Sequence, residues 1–156
     1  MARPGVSTIG AIFSYGVETT AGEKPASFTK LTRINAIGGI STTRESIDAS
    51  ALEDEITKRI AGRGDTDETL PVTVNLTNET ITEWETLITA YETAKAAGKG
   101  VWFQTTLSDI TKSYFCIAEP PTAIPQPSLD QNALVTVEMG LIVNDYKGLD
   151  TAVTPT

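Results

Sequence analysis

Arg63, Gly64 and Asp65 spell the tripeptide that adhesion receptors read, and Asp65, Asp67 and Glu68 crowd three carboxylates beside it. Two chemistries match those residue types: display of a receptor ligand, and a calcium loop. A receptor ligand belongs on a displayed or secreted protein, and the start "MARPGVSTIG" has no apolar signal core. A calcium loop of the EF-hand kind needs alternating carboxylates, a central glycine and a closing bidentate glutamate. "DTDETLPVTVNL" has neither that glycine nor that glutamate. The plainer reading of "IAGRGDTDET" is a solvated acidic loop in which Gly62 and Gly64 let the backbone turn.

Other catalytic inventories are equally thin. Paired carboxylates hydrolyse glycosides, and Glu45, Asp48, Glu53 and Asp54 supply the acids, but no spacing singles out a pair. The chain has no histidine, which removes the commonest general base, the Ser-His and Cys-His pairs and the commonest metal ligand. One cysteine, Cys116, makes neither an internal disulfide nor a thiolate zinc site. It lies in the apolar run "SYFCIA" and reads as a buried strand residue. "NAIGGIS" has two glycines but lacks the Lys-Ser/Thr pair and the helix of a phosphate loop. The expectation is a protein that is not an enzyme and carries no cofactor or metal.

Twelve basic and twenty acidic residues leave a formal charge of −8. Such a chain does not wrap nucleic acid by neutralising phosphates. It can surround nucleic acid without holding it, because like charges repel. No run reaches the roughly 20 apolar residues of a membrane span. Synthesis and assembly in a cytoplasm are expected.

The elements that would position any site are mostly strands. In "LVTVEMGLIV", Val135, Val137, Met139, Leu141 and Val143 share one face, with Leu134, Thr136, Glu138 and Ile142 on the other. "PVTVNLT", "GVWFQTTL" and "SYFCIAE" read as further strands, the last two joined by a turn at Ser108-Asp109. "IGAIFSYGVE" and "FTKLTRINAIGGI" are weaker early strands, and "TTRESIDAS" extends the second into a polar hairpin over Lys30–Ser50. One helix is marked over residues 82–97. Thr82 and Glu85 have capping-box spacing, Trp84, Leu87, Ile88, Tyr91 and Ala94 form the apolar stripe, and Gly98 is the stop. The stripe reads as packing against a sheet rather than as a binding cleft.

Residues 1–156 form a single domain, mainly β, a sandwich or barrel with one covering helix. Residues 1–7 read as an N-terminal arm and 147–156 as a flexible C-terminal tail. Ala51–Thr69 reads as a long charged loop, and four prolines between Pro120 and Asn132 as an extended crossing loop. Edge strands invite other chains, and ordering polar arms costs entropy. Both make sense when a neighbouring copy receives them.

The order of features carries a resemblance. Ile47, Asp48, Ser50, Leu52, Glu53 and Asp54 in "RESIDASALEDEITKRIAGRGDTDETLPVTVNL" match an "ID-x-S/T-x-L-E-D" phrase that precedes a glycine-and-acid loop and a strand. The single helix, two strands, a long connection and a last strand closing on "GLIVNDYKG" follow. From about residue 8 to 148 the chain resembles the major tail tube proteins of long-tailed bacteriophages. The motifs are loose, and order and spacing carry more of the resemblance than any one residue.

The resemblance implies hexameric rings stacked into a hollow tube that conducts DNA, with inner strands of six copies joined in one lumen. It implies a location in the virion tail, and in the host cytoplasm before assembly. The implied partners are further copies of the chain, a tape-measure protein, a tail terminator, and DNA in transit without specific binding. The loop that would pack against the next ring contains Asp48, Ser50, Leu52, Glu53, Asp54, Ile60, Arg63 and Asp65, with "IAGRGDTDET" at its distal end. Candidates for lumen charge are Glu45, Asp48 and Glu138. A second class of function stays open: a monomeric β-sandwich that binds at a surface, of carbohydrate-binding or immunoglobulin-like type.

Overall fold

The computed structural model describes residues 4–156, so the expected arm at 1–7 lies partly outside the described residues. Among these residues the elements run β1 (Ile12–Val17), β2 (Thr29–Leu31), β3 (Ile34–Ile37), β4 (Thr42–Asp48), β5 (Arg59–Thr66), β6 (Thr69–Asn75), α1 (Asn78–Ala96), β7 (Val101–Thr106), β8 (Lys112–Glu119) and β9 (Thr136–Thr151). Seven strands make one antiparallel sheet in the order β2-β1-β7-β8-β9-β6-β3. Among the described residues, strands β4 and β5 pair only with each other. The fold is the expected mainly β architecture with one helix, and the sheet does not close into a barrel.

Alternation builds the core. Phe13, Tyr15, Val72, Val74, Val101, Phe103, Cys116, Val137, Met139 and Leu141 point to one face and are buried together. Trp84, Leu87 and Ala94 of α1 join the same cluster. Burying each large apolar side chain contributes about 1.5–3 kcal/mol, so this contact holds the helix far more firmly than its intrinsic propensity does. The indole N–H of Trp84 has no partner among the described residues, which leaves packing as its whole contribution.

The helix begins at Asn78, not Thr82, and the expected cap at Thr82 and Glu85 does not form. Thr77 is the N-cap. Thr80 N donates to Thr77 Oγ1 at 3.2 Å, and Thr77 N donates to Thr80 Oγ1 at 2.8 Å. A threonine hydroxyl here does what a Glu does in the usual box. Thr82 lies inside the helix, where its hydroxyl donates to the Asn78 carbonyl. Gly98 takes φ 73° just past the end, a conformation that costs glycine little and other residues more.

Two further expectations change. The loop at 51–69 is loop only in part, because Arg59–Thr66 is strand β5, in register with β4. Gly62 and Gly64 hide the alternation that would have announced it. The polar hairpin therefore runs from Thr42 to Thr66 rather than from Lys30 to Ser50, and Lys30 lies in β2 at the far edge of the other sheet. The tail at 147–156 is not a free end. β9 pairs with β8 as far as Thr151, with register shifts beside Phe115 and Ile117, and Gly148 adopts φ 75°. Residues beyond Thr151 are hydrogen-bonded to the sheet. The proline-rich segment does connect β8 to β9 without regular structure.

Candidate assembly surfaces

The β4–β5 hairpin stands away from the body. Every residue of β4 is exposed. Ile47 pairs with Ile60 across the ladder, and both are exposed, as is Ile56. Leu52 is fully exposed. Four large apolar side chains thus sit on one projecting element. Exposed apolar side chains grouped on one projecting element fit a surface that another chain covers.

The tip, residues 49–58, is held by its own polar groups. Ser50 N donates to Asp48 Oδ1 at 2.9 Å, and Lys58 N donates to Ser50 Oγ at 2.8 Å. Ala51 N donates to Asp54 Oδ2 at 2.7 Å, and Lys58 Nζ pairs with Asp54 Oδ1 at 2.7 Å. The Ser50 hydroxyl and amide lower the Asp48 pKa, and the Lys58 ammonium followed by the Ala51 amide lowers that of Asp54. Asp48, Ser50 and Asp54 therefore shape the tip from within, whereas Leu52 and Glu53 are exposed on it.

Arg63 and Asp65 are not at the distal end. Asp65 pairs with Thr43, and Gly64 with Arg44. Between Arg44 and Ser46 the register shifts, so that Gly62 and Arg63 oppose the single residue Glu45. This is a bulge, which twists an exposed ladder and discourages flat edge pairing. The tripeptide thus lies in a strand ladder rather than at a turn that displays it. Asp67 Oδ2 accepts from Ser41 N at 2.7 Å and closes the hairpin base, and Asp65 Oδ1 accepts from Thr66 N. Two of the three acids, Asp65 and Asp67, thus have their carboxylates engaged by backbone amides.

A second surface is the outer face of β6 and β9. Thr73, Asn75, Thr136 and Glu138 alternate with the buried Val72, Val74, Val137 and Met139, and Glu138 faces Thr73 across the ladder. Glu138 on this polar face is exposed. Glu45 and Asp48 lie on the hairpin, so the three candidate lumen charges occupy two separate elements.

Glu18 was not legible as important from the sequence. It is buried and accepts three bonds: from Trp102 Nε1 at 2.7 Å, Gly22 N at 2.9 Å and Gly100 N at 3.1 Å. Burial raises its pKa, but these donors, with Lys147 nearby, outweigh it and the net shift is downward. The carboxylate ties the β1–β2 connection to the start of β7. Its only sequence signal is an acid closing an apolar strand.

No protein-family model matches the chain, and no curated protein matches its sequence. Solved structures do. A chain of the anti-feeding prophage (AFP) baseplate, 6-fold symmetrised, is similar with TM-score 0.62 at 12% identity, over 97% of this chain and 98% of that one. The likeness is one of fold. A chain from the tail of an empty GTA particle with C6 symmetry gives TM-score 0.53 at 15% identity, covering 90% and 94% of the two chains. A chain of the native gene transfer agent virion gives 0.50 at 16%, covering 80% and 88%.

Proposed function

We propose that this chain is a structural, non-enzymatic subunit of a phage-like tail, and that it self-assembles into stacked hexameric rings forming the tail tube. The observation that carries the reading is the unpartnered β4–β5 hairpin, whose Ile47, Leu52, Ile56 and Ile60 are exposed on a fold shared with particle subunits. The sixfold symmetry stated for those particles supports the ring size. The hairpin, with Asp48, Ser50, Leu52, Glu53, Asp54, Ile60, Arg63 and Asp65, packs against the next ring, and its tip at 49–58 makes the contact.

The tube conducts DNA and does not bind it. Six subunits at −8 each give about −48 in formal charge per ring. A wall bearing Glu45, Asp48 and Glu138 inward repels phosphate at every ring, whereas basic rings would accumulate contacts and stall the strand. A tape-measure protein and a tail terminator set the length, and the protein resides in the virion tail after assembly in the host cytoplasm. Size-exclusion chromatography with negative-stain microscopy tests the reading. Rings or tubes of uniform width are expected; a compact monomer at high concentration overturns it and favours the surface-binding module.

A further inference from the structure

Gln104 is fully buried although it sits on the sheet face opposite the main core. Its amide is used on main chain. Val153 N donates to Gln104 Oε1 at 2.9 Å, and Gln104 Nε2 donates to Val153 O at 2.8 Å and to Ser14 Oγ at 3.1 Å. The Val153 side chain packs against the small cluster of Phe28, Trp102 and Phe115. Three residues on, Thr156 N donates to Phe28 O and Lys30 N donates to Thr156 O, each at 3.0 Å. Phe28 and Lys30 present those groups on the side of β2 away from β1, which is an edge of the seven-stranded sheet.

We propose that residues 152–156 are a detachable cap on the β2 edge, which must leave before that edge pairs with a strand of a second copy of this chain. The cap is suited to stopping a sheet. Pro155 has no N–H, so the segment offers a broken edge to any further strand. Its anchor at Gln104 reads backbone groups. Its side-chain anchors are Val153, seated on the small aromatic cluster, and the Thr156 hydroxyl, which donates to Phe28 O at 3.3 Å. Release therefore costs the two amide bonds at Gln104, the Val153 seat and the Thr156 bonds to Phe28 and Lys30, and an incoming extended strand replaces the backbone bonds at that same edge. Among the described residues the other edge, β3, pairs with β6 alone. One capped and one open edge make a head-to-tail pairing conditional rather than automatic.

The proposal rests on the self-assembly reading for its partner, and the test separates the two. Gln104→Met removes both amide bonds to Val153 while keeping bulk in the sheet. Val153→Asp alters only the cap and sets a charge against Phe28, Trp102 and Phe115. Circular dichroism confirms folding, and Val153→Asp leaves the sheet's own residues intact should Gln104→Met misfold. Hydrogen exchange at the Lys30 amide is expected to rise about tenfold in both variants. Light scattering is expected to show a shorter lag for association than in the parent protein. A synthetic hexapeptide of residues 151–156, "TAVTPT", added in excess, is expected to restore the lag of Val153→Asp. Variants that associate no faster than the parent, including not at all, overturn the cap. A parent that stays monomeric while the variants associate supports the cap and overturns spontaneous tube formation by the intact chain.

Discussion

Cys116 and Glu18 show how burial sets the chemistry of single side chains. Burial pushes the Cys116 thiol up to about 12, so the thiolate needed for reaction is scarce at pH 8. Native protein is expected to resist a thiol reagent at that pH and to react promptly once denaturant unfolds it; fast labelling of the folded protein contradicts this. Cys116→Ala is expected to cost about 1 kcal/mol and to leave association intact. Glu18 has the opposite shift, below its ordinary 4.5, because burial is outweighed by three donors. A carboxylate with a depressed folded pKa stabilises above its unfolded value, and that stability is lost as pH falls through the folded pKa. Glu18→Gln keeps the shape but turns an amide N–H₂ toward a donor. It is expected to lower stability at pH 7 by about 1.5–3 kcal/mol and to flatten the acid limb of the unfolding curve. An unchanged acid limb would show that Glu18 is not the group being titrated.

At the scale of elements, the hairpin and the helix differ in what holds them. The helix is fixed by Trp84, Leu87 and Ala94 in the core. Among the described residues the hairpin is held by its own ladder, the polar bonds of its tip and the Asp67–Ser41 bonds at its base. Replacing exposed Leu52 and Ile56 by serine removes no intramolecular packing, so stability should stay within about 0.5 kcal/mol of the parent. Association should weaken sharply if the tip is covered by another copy. A double variant that melts as the parent does but forms no rings is the expected result; rings of normal yield would place the contact elsewhere. The same geometry refines what is expected of mobility. Amides of the tip should exchange quickly in the monomer and slowly in the assembly, while the ladder amides of Arg59–Thr66 should already be slower in the monomer.

For the whole molecule, the decisive quantity is which face the excess acid occupies. Salt screens exposed charges over about 8 Å at physiological strength, so in the proposed conduit only side chains close to the phosphates would matter. The face bearing Glu138, Thr73, Thr136 and Asn75 is polar and lacks basic residues at those positions. On the two strands of the hairpin, Arg44, Arg59 and Arg63 offset Glu45, Asp48 and Asp65. The expected outcome is that inward-facing positions of an assembled ring hold more Asp and Glu than Lys and Arg. A surface-potential map of the ring checks this, together with DNA retention by empty tubes. A positive lumen, or DNA held at physiological salt, would remove the conduit as framed.

The amino-acid order by itself determined the strands whose apolar residues alternate without interruption: Val72 and Val74, Val101 and Phe103, and Val137, Met139 and Leu141. It also determined that one helix lies on them, because Trp84, Leu87 and Ala94 repeat at helical spacing and only one surface could bury them. Those signals are local and hydrophobic. The tertiary structure alone decided the rest, because it depends on partners remote in the chain. Gly62 and Gly64 belong to a strand only because β4 supplies the ladder opposite. The helix cap is a local exception: Thr77 and Thr80 are three residues apart, but a threonine stands where a Glu is usual, and its hydroxyl also reaches Asn75 O. Residues 147–156 look like a free polar tail, yet β8 pairs with their first half, and Gln104 and the β2 edge bond the remainder. Backbone hydrogen bonding is nearly blind to side-chain type, so a segment that is ordered mainly by its backbone leaves little trace in composition.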